Sequence, residues 1–344
     1  MYKELIKKIK IINKSPKKKV FYFGNTSKKE NSKFYLTNIQ ENRKFIYFGA
    51  IIFNNASASK IAKLIDGKVD YALVDTEKKV ISKNRDDTIN IERAVKEEIK
   101  ITKIFTYKGN DLTVQACETL INYIFLKDLR GIGGKKILIL GAGNVGFKLA
   151  LKLVESGADV YLYRRNKEIL KKMVSTINSV IPKATLAEAK IINKVKNDLK
   201  NFDIIIGTTN GKSIINVNQV NTFKKDVIII DIGKGIFERK ALIKAINKKI
   251  NLYRLDVTPA YDGYLENIYS TEKINDFNLE KSKIYKKLKL VKRGVLSSEN
   301  SIIVDNVDNP KKIYGISDGY GSFKQSNKKK IIEIKKKLKK IKKI

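Results

Sequence analysis

Short apolar runs alternate with amphipathic segments from Lys135 onward, and this alternation predicts a continuous α/β arrangement. Parallel strands that are buried on both faces appear as uninterrupted β-branched runs, whereas the segments between them have helical spacing. The predicted strands lie at 136–140, 159–163, 184–187, 203–206, 226–231 and 251–255. Six such strands separated by helices predict a doubly wound parallel sheet, with a ligand crevice at its switch point.

Residues 1–112 have a different pattern, which predicts a smaller N-terminal mixed α/β domain on the substrate side. Its predicted strands lie at 20–23, 33–36, 45–48, 69–74 and 101–107, and its helices at 55–65 and 88–99. The rest of the chain is divided by its patterns into a linking helix and glycine joint (113–134), the doubly wound domain (135–257), a return segment between the domains (258–326) and a basic amphipathic tail (327–344).

A glycine-rich turn follows the first strand of the doubly wound domain. Gly141, Gly143 and Gly146 form G-x-G-x-x-G directly after an apolar strand and before a helix, which is the context that indicates dinucleotide binding. The first glycine permits the tight turn, the second admits the pyrophosphate, and the third allows close packing of helix and strand. The start of the helix also favours phosphate charge. The predicted contacts in this Rossmann-type turn are Gly141, Ala142, Gly143, Asn144, Val145 and Gly146.

The end of the second strand favours NADP(H) over NAD(H) as the cofactor. NAD-binding units usually carry an acidic residue about 20 residues after the turn, but this chain has Arg164, Arg165 and Asn166 there. Arginine is a planar, bidentate phosphate ligand, and a solvent-facing basic turn is the alternative. Thr208, Thr209 and Gly233 follow the fourth and fifth strands and are predicted to line the same crevice. The alternative for these three is plain turn chemistry.

Composition narrows the chemistry. The 344 residues include no histidine, which excludes histidine-based catalytic triads and histidine-based metal sites. The single cysteine, Cys117, excludes an internal disulfide, and no metal is expected. Proton transfer must use Lys, Asp, Glu, Tyr, Cys or water. No apolar run reaches the roughly 18–20 residues of a membrane span, and the charged first residues lack the apolar core of a signal peptide. These features predict a cytoplasmic protein.

A formal net charge of +37 raises the question of an anionic partner. The tail places Ile331, Ile334, Leu338 and Ile341 at helical spacing among lysines, which is typical of helices that contact anionic membranes or acidic partners. The alternative is an excess of solvated lysine that a biased genome composition produces. Nucleic acid is not predicted as a partner, because aromatic residues do not interleave the basic runs.

The arrangement of a mixed N-terminal domain, a long linking helix and a Rossmann domain resembles shikimate dehydrogenases and methylenetetrahydrofolate dehydrogenases. GAGNVG resembles the glycine motif of the shikimate enzymes, and Arg164-Arg165-Asn166 takes the place of their Asn-Arg-Thr phosphate clamp. Residues 202–233 resemble the folate enzymes, in which a strand, a Gly-Lys segment and a V-I-D-V-G strand follow one another. The resemblance implies the Rossmann fold and NADP(H). The catalytic lysine motif of the shikimate enzymes is absent, so the resemblance is confined to the Rossmann part.

Catalytic candidates come from the predicted cleft between the domains. Asp111 lies just before the linking helix, and Tyr261 and Asp262 follow the sixth strand, where a phenol or carboxyl group can relay a proton. The alternative for the latter pair is a rigid turn with packed aromatic rings, and Cys117 is predicted to be a packing residue.

The predicted function is a cytoplasmic NADP(H)-dependent oxidoreductase acting on a small polar carbonyl/alcohol or imine/amine in the inter-domain cleft. The alternative is a non-catalytic dinucleotide sensor or assembly protein whose basic tail docks on a partner. A homodimer is one open option for its assembly.

Overall fold

The computed structural model describes residues 1–27, 29, 33–82, 88–195, 199–209, 211–274, 281–285, 287–325 and 328–339. The chain divides into two compact units, residues 1–262 and 263–344. The strands are β1 Lys18–Gly24, β2 Tyr35–Leu36, β3 Gln40–Glu41, β4 Phe45–Ile51, β5 Tyr71–Asp75, β6 Lys103–Tyr107, β7 Lys136–Leu140, β8 Asp159–Tyr163, β9 Ala189–Ile192, β10 Ile204–Gly207, β11 Ile228–Asp231, β12 Asn251–Arg254, β13 Ser282–Tyr285, β14 Leu288–Lys292, β15 Ile302–Val304 and β16 Ile313–Ile316. The helices are α1 Tyr2–Ile12, α2 Asn55–Ile65, α3 Ile91–Glu98, α4 Gly109–Ile124, α5 Asn144–Glu155, α6 Lys167–Val180, α7 Val217–Thr222, α8 Arg239–Asn247, α9 Thr258–Ile274 and α10 Lys328–Lys339.

The second sheet of the first unit confirms the predicted doubly wound fold. Its strands are parallel and follow the order β12-β11-β10-β7-β8-β9, which is the Rossmann order 3-2-1-4-5-6. The side chains of Ile204, Ile205 and Ile206 in central β10 are fully buried, because helices cover both faces of the sheet. The carboxyl ends of β7 and β10 meet at the switch point, which is where the glycine-rich turn begins.

The third predicted strand of this sheet was misplaced. The sequence predicts it at 184–187, whereas β9 occupies Ala189–Ile192. Pro182 follows the end of α6 and opens a turn in which the Thr185 amide donates to the Pro182 carbonyl at 2.9 Å. The strand starts only where the Asn178 side chain bonds both the amide and the carbonyl of Ala189, at 2.8 and 3.0 Å. A contact eleven residues away therefore sets the boundary.

The first sheet is formed by residues of the predicted N-terminal domain. Strands β4, β1, β5 and β6 are parallel neighbours in that order, and short β2 and β3 add to β4 in antiparallel orientation. Its core contains T-shaped contacts of the Phe21 ring with the rings of Phe23 and Phe48. The helix α1, which the sequence pattern did not predict, buries Leu5 and Ile9 in this core. Its apolar positions recur at helical spacing but are separated by lysines.

The linking helix starts at Gly109, four residues before its predicted start, and ends at Ile124. The helix starts early because carboxylates at and just after the end of β5 accept hydrogen bonds from its first backbone amides. The Gly109 amide donates to Asp75 at 3.3 Å, and the Asn110 amide donates to Glu77 at 2.8 Å. Negative groups are favourable at a helix N-terminus because they complement its dipole.

The second unit contains a four-stranded sheet in the order β13-β14-β15-β16. Helix α10 buries Ile334 and Leu338 together with Leu290, Ile302 and Ile316 of this sheet. Two apolar positions of the predicted amphipathic tail are thus covered within the unit, whereas the side chain of Ile331 and residue Ile341 lie outside what the structure describes. Among the helices in the described ranges, none combines the length and apolar character that a bilayer crossing requires.

Candidate functional site

The glycine-rich turn connects β7 to α5 at the switch point of the Rossmann sheet. Gly141 has φ +104°, which L side chains rarely adopt, and a Cβ there would come within 3.0 Å of Thr209. A Cβ on Gly146 would lie 3.0 Å from both the Gly141 carbonyl oxygen and Thr208 Oγ1, so this glycine lets α5 approach the turn. The Thr208 hydroxyl donates to the Gly141 carbonyl at 2.6 Å and joins the loop after β10 to the turn.

The middle glycine leaves open space where a pyrophosphate has to approach. A Cβ on Gly143 would meet only the Gly141 carbonyl oxygen, at 3.9 Å. Helix α5 starts at the next residue, has no side-chain cap and carries no acidic residue in its first turn. Ala142 is buried, Val145 packs partly against the core, and Asn144 is exposed and accepts from the Asn110 side chain at 3.2 Å. Since open space, free amides and helix dipole coincide, the turn fits a dinucleotide phosphate.

The three residues after β8 have different roles in the structure. Arg164 is half-buried, and its Nη1 donates to the Ala142 carbonyl at 2.7 Å, so its guanidinium braces the glycine-rich turn. Asn166 caps α6 by accepting from the Ile169 amide at 3.0 Å. Arg165 has an exposed side chain, two residues after the end of β8. Arg165 is therefore the guanidinium that is most accessible to a ligand at the end of β8.

The loops after β10 and β11 pack directly against each other. A Cβ on Gly233 would fall 1.8 Å from the Thr209 carbonyl oxygen, so only glycine permits this contact. The Thr209 hydroxyl donates to the Lys212 carbonyl at 3.0 Å, which holds its own loop closed. Thr208, Thr209 and Gly233 are thus brought together with Gly141 and Gly146 at one end of the sheet.

The sequence-predicted catalytic residues lie in two different places. Asp111 is exposed and forms an ion pair with Lys148, which joins the first turn of α4 to α5. Asp262 is held at the first sheet, because it accepts hydrogen bonds from the Tyr47 hydroxyl at 2.9 Å and from the side-chain Nδ2 of Asn42 at 2.8 Å. Tyr261 is buried. Of the three candidates, Tyr261 and Asp262 are consecutive residues of α9, whereas Asp111 belongs to α4.

Tyr261 is the centre of a group of tyrosines. Its ring lies 4.9, 5.8 and 5.4 Å from the ring centroids of Tyr22, Tyr47 and Tyr107. Burial is the main cause that raises the pKa of Tyr261 and of Tyr107 well above the usual phenol value. Tyr107 raises the pKa of Tyr261 further, and the charge of Asp75 raises that of Tyr107, whereas the hydrogen bond with Tyr261 acts on Tyr107 in the opposite direction. Both phenols are therefore neutral, and their rings form a rigid wall.

A cavity of about 560 Å³ lies next to this wall, inside the first unit. It is bounded on one side by the carboxyl ends of β1, β5 and β6 and on the other by the loops after β11 and β12. Its charged lining residues are Asp75, Lys79, Lys234, Arg254 and Asp256. Asn110 also lines it and contacts Asn144 of the glycine-rich turn, so the cavity adjoins the dinucleotide end of the sheet.

A buried ion cluster at this cavity was not predicted from the sequence. Lys79 Nζ lies 2.9 Å from Asp75 Oδ2 and 2.7 Å from Glu77 Oε2. Burial raises the pKa of Asp75, although Lys79 and the amides of Glu77 and Gly109 act in the opposite direction. Residue type could not single out Lys79, because the chain has 72 lysines and arginines. The available signal was its position just after buried β5, at the edge of a parallel sheet where ligands gather.

Cys117 lies in the core on α4, as predicted for a packing residue. Burial raises the pKa of its thiol to about 12, so the nucleophilic thiolate is scarce at neutral pH.

Comparison with known proteins identifies the domain. Residues 125–272 match the family described as the NAD binding domain of D-isomer specific 2-hydroxyacid dehydrogenases. A glutamyl-tRNA reductase of Thermosipho melanesiensis is 26% identical over 212 residues, which cover 53% of this chain and 55% of that protein. The chain therefore spans about half the length of this curated relative.

Solved structures share less with the chain. A dipicolinate synthase structure from Bacillus halodurans is 13% identical, with 74% of this chain and 97% of that chain covered and a TM-score of 0.36. The NAD-complexed D-isomer specific 2-hydroxyacid dehydrogenase from Lactobacillus delbrueckii ssp. bulgaricus is 14% identical, with coverage of 69% and 79% and a TM-score of 0.33. TM-scores of this size support no inference about function.

The family match and the glycine-rich turn agree. Together they confirm the coarser part of the sequence prediction, a Rossmann domain that binds a nicotinamide dinucleotide. The matching family is that of the 2-hydroxyacid dehydrogenases rather than the shikimate or folate enzymes. Residues 125–272 thus match an NAD binding domain, and strands β7 to β12 within them form a Rossmann sheet.

Proposed function

We propose that this chain is an NADP(H)-dependent oxidoreductase that interconverts the hydroxy and keto forms of a small organic acid in the 560 Å³ cavity. The observation that carries the proposal is the combination of the 2-hydroxyacid dehydrogenase domain at 125–272 with this cavity at the carboxyl end of its sheet. When bound, the nicotinamide ring donates or accepts the hydride. The chain has to orient the acid and exchange one proton.

Two cations support an acidic substrate. Lys234 and Arg254 line the cavity from the loop after β11 and from the end of β12. Both side chains are exposed and can bind a substrate carboxylate, arginine in bidentate geometry. The neutral tyrosine rings also line this cavity. An imine or amine substrate has no such support from these groups.

The preference for NADP(H) rests on the arginines after β8. Arg165 is exposed after the end of β8 and can pair with a 2′-phosphate, whereas Arg164 is engaged with the Ala142 carbonyl. We expect Arg165→Ala to weaken NADPH binding by about 1.5–3 kcal/mol, or roughly 10- to 100-fold, and to leave NADH binding unchanged. Arg164→Ala weakens both, because it releases the turn that both cofactors use.

Fluorescence titration of the wild type and both variants with NADPH and NADH tests this assignment. Equal affinity of the wild type for the two cofactors would refute the phosphate clamp. Oxidation of NADPH in the presence of pyruvate, glyoxylate or 2-oxoglutarate tests the reaction. Tight NADPH binding with no turnover on such acids would instead favour the non-catalytic sensor. The cytoplasmic location, a homodimer and docking of the basic tail on an anionic membrane or an acidic partner stay predictions.

A further inference from the structure

We propose that Lys79 is the proton donor of the reaction and delivers a proton to the carbonyl oxygen of a 2-keto acid in the cavity. This inference rests on the proposed function and adds the residue that performs its acid-base step. Lys79 follows β5 on the first sheet and lines the cavity across from the loops after β11 and β12 of the Rossmann sheet.

The geometry fixes this lysine in place. Its side chain is only 14% exposed, and its Nζ donates to Asp75 at 2.9 Å and pairs with Glu77 at 2.7 Å. An ammonium group has three N–H donors, so two carboxylates leave one for the cavity that Lys79 lines. Asp75 is itself fixed by the amides of Glu77 and Gly109 at 3.0 and 3.3 Å. The nitrogen is thereby positioned before any ligand binds.

The backbone around the cluster is shaped to admit it. A Cβ on Gly109 would lie 2.8 Å from Asp75 Oδ2 and 3.0 Å from Lys79 Nζ, so any larger residue displaces the ion pair. Helix α4 begins at this glycine and uses Asp75 and Glu77 as caps for its first amides. The helix that links the two sheets therefore also positions the proton donor.

Other groups at the cavity are less suited to this step. The chain has no histidine, and an arginine such as Arg254 does not release its proton. Tyr107 and Tyr261 are buried phenols, and burial raises the pKa of both far above neutral. Lys234 is exposed and lies on the Rossmann side, where it can bind the carboxylate. Among the described residues that line the cavity, Lys79 is the cation on the first-sheet side.

The step balances as a two-electron reduction. A hydride from the reduced nicotinamide forms the new C–H bond at the carbonyl carbon, while the C–O π bond breaks toward oxygen. One N–H bond of Lys79 breaks, and its proton forms the new O–H bond. The nicotinamide becomes oxidised, and the neutral amine of Lys79 takes a proton back from solvent.

Lys79→Arg tests the role, with Lys78→Arg as the matched control. Arginine keeps both ion pairs with Asp75 and Glu77 but holds its proton. We expect kcat of K79R with pyruvate, glyoxylate or 2-oxoglutarate to fall by roughly 10²- to 10⁴-fold. The NADPH dissociation constant and the unfolding midpoint stay at wild-type values, and the exposed neighbour Lys78 changes nothing.

A second measurement is independent of turnover. Acetylation of lysines is followed by mass spectrometry in the wild type with NADPH, with and without oxamate, an unreactive analogue of a 2-keto acid. We expect oxamate to protect Lys79 but not Lys78. K79R with near-wild-type kcat, or equal labelling of Lys79 in both samples, would overturn the inference alone. A wild type that neither binds NADPH nor reduces any of the three acids would overturn the proposed function, and the inference with it.

Discussion

Replacing Gly143 by alanine separates cofactor binding from folding. The residue has φ −97°, which alanine adopts, and the added Cβ would meet only one protein atom, 3.9 Å away. Gly143 is the N-cap of α5, where glycine is preferred to alanine, so the change costs about 0.5–1 kcal/mol of stability. In the liganded protein, however, the same methyl group occupies the space through which a pyrophosphate reaches the amides of α5.

The expected loss of affinity follows from those amides. A hydrogen bond to a charged group contributes about 1.5–3 kcal/mol. Losing one or two of them weakens NADPH binding by between about 10-fold and 10⁴-fold. At an NADPH concentration of 100 times the wild-type Kd, the wild type gains about 2.7 kcal/mol, whereas a variant with 100-fold weaker binding gains only about 0.4 kcal/mol.

Thermal unfolding with and without NADPH measures this difference. Because 1 kcal/mol corresponds to about 2–4 °C for domains of 150–250 residues, the wild type shifts upward by roughly 5–10 °C and the variant by about 1 °C. Gly263→Ala is the matched control. A Cβ there meets nothing within 4 Å, so this variant keeps the full NADPH shift. An equal shift for G143A and the wild type would refute the assignment of Gly143 to the phosphate site.

Two further predictions concern groups outside the cavity. Burial raises the pKa of the Cys117 thiol to about 12. We therefore expect iodoacetamide to modify this thiol at neutral pH only as fast as the first unit unfolds. Rapid stoichiometric labelling of the native protein would contradict this. Burial tends to raise the pKa of Asp66, but amides of Thr102, Lys100 and Ile101 outweigh it and lower the pKa below 3.8. A lowered folded pKa means that the stabilisation is present above pH 3.8 and is lost as the pH falls through the folded value. In urea unfolding from pH 6 to pH 2, the free energy of unfolding should therefore fall less for Asp66→Asn than for the wild type. Parallel curves would count against this prediction.

The local sequence determined the Rossmann elements well. The runs that became β7 and β8 were predicted with their observed bounds, and those that became β10, β11 and β12 to within two residues. A central parallel strand is apolar on both faces, so its pattern is visible without knowledge of its neighbours. The glycine-rich turn was predictable for the same reason, since strand, turn and helix are adjacent in the chain.

The tertiary structure decided what depends on residues far apart in the sequence. The position of β9 depends on Asn178, and the start of α4 depends on Asp75 and Glu77, more than thirty residues earlier. The sequence predicts Arg164 as a phosphate ligand, which stays a prediction, and its additional contact with the Ala142 carbonyl across the turn is visible only in the structure. Lys79 differs from dozens of other lysines only in its burial between two carboxylates at a cavity. Spacing along the chain encodes local structure, whereas burial and ion pairing are properties of packing.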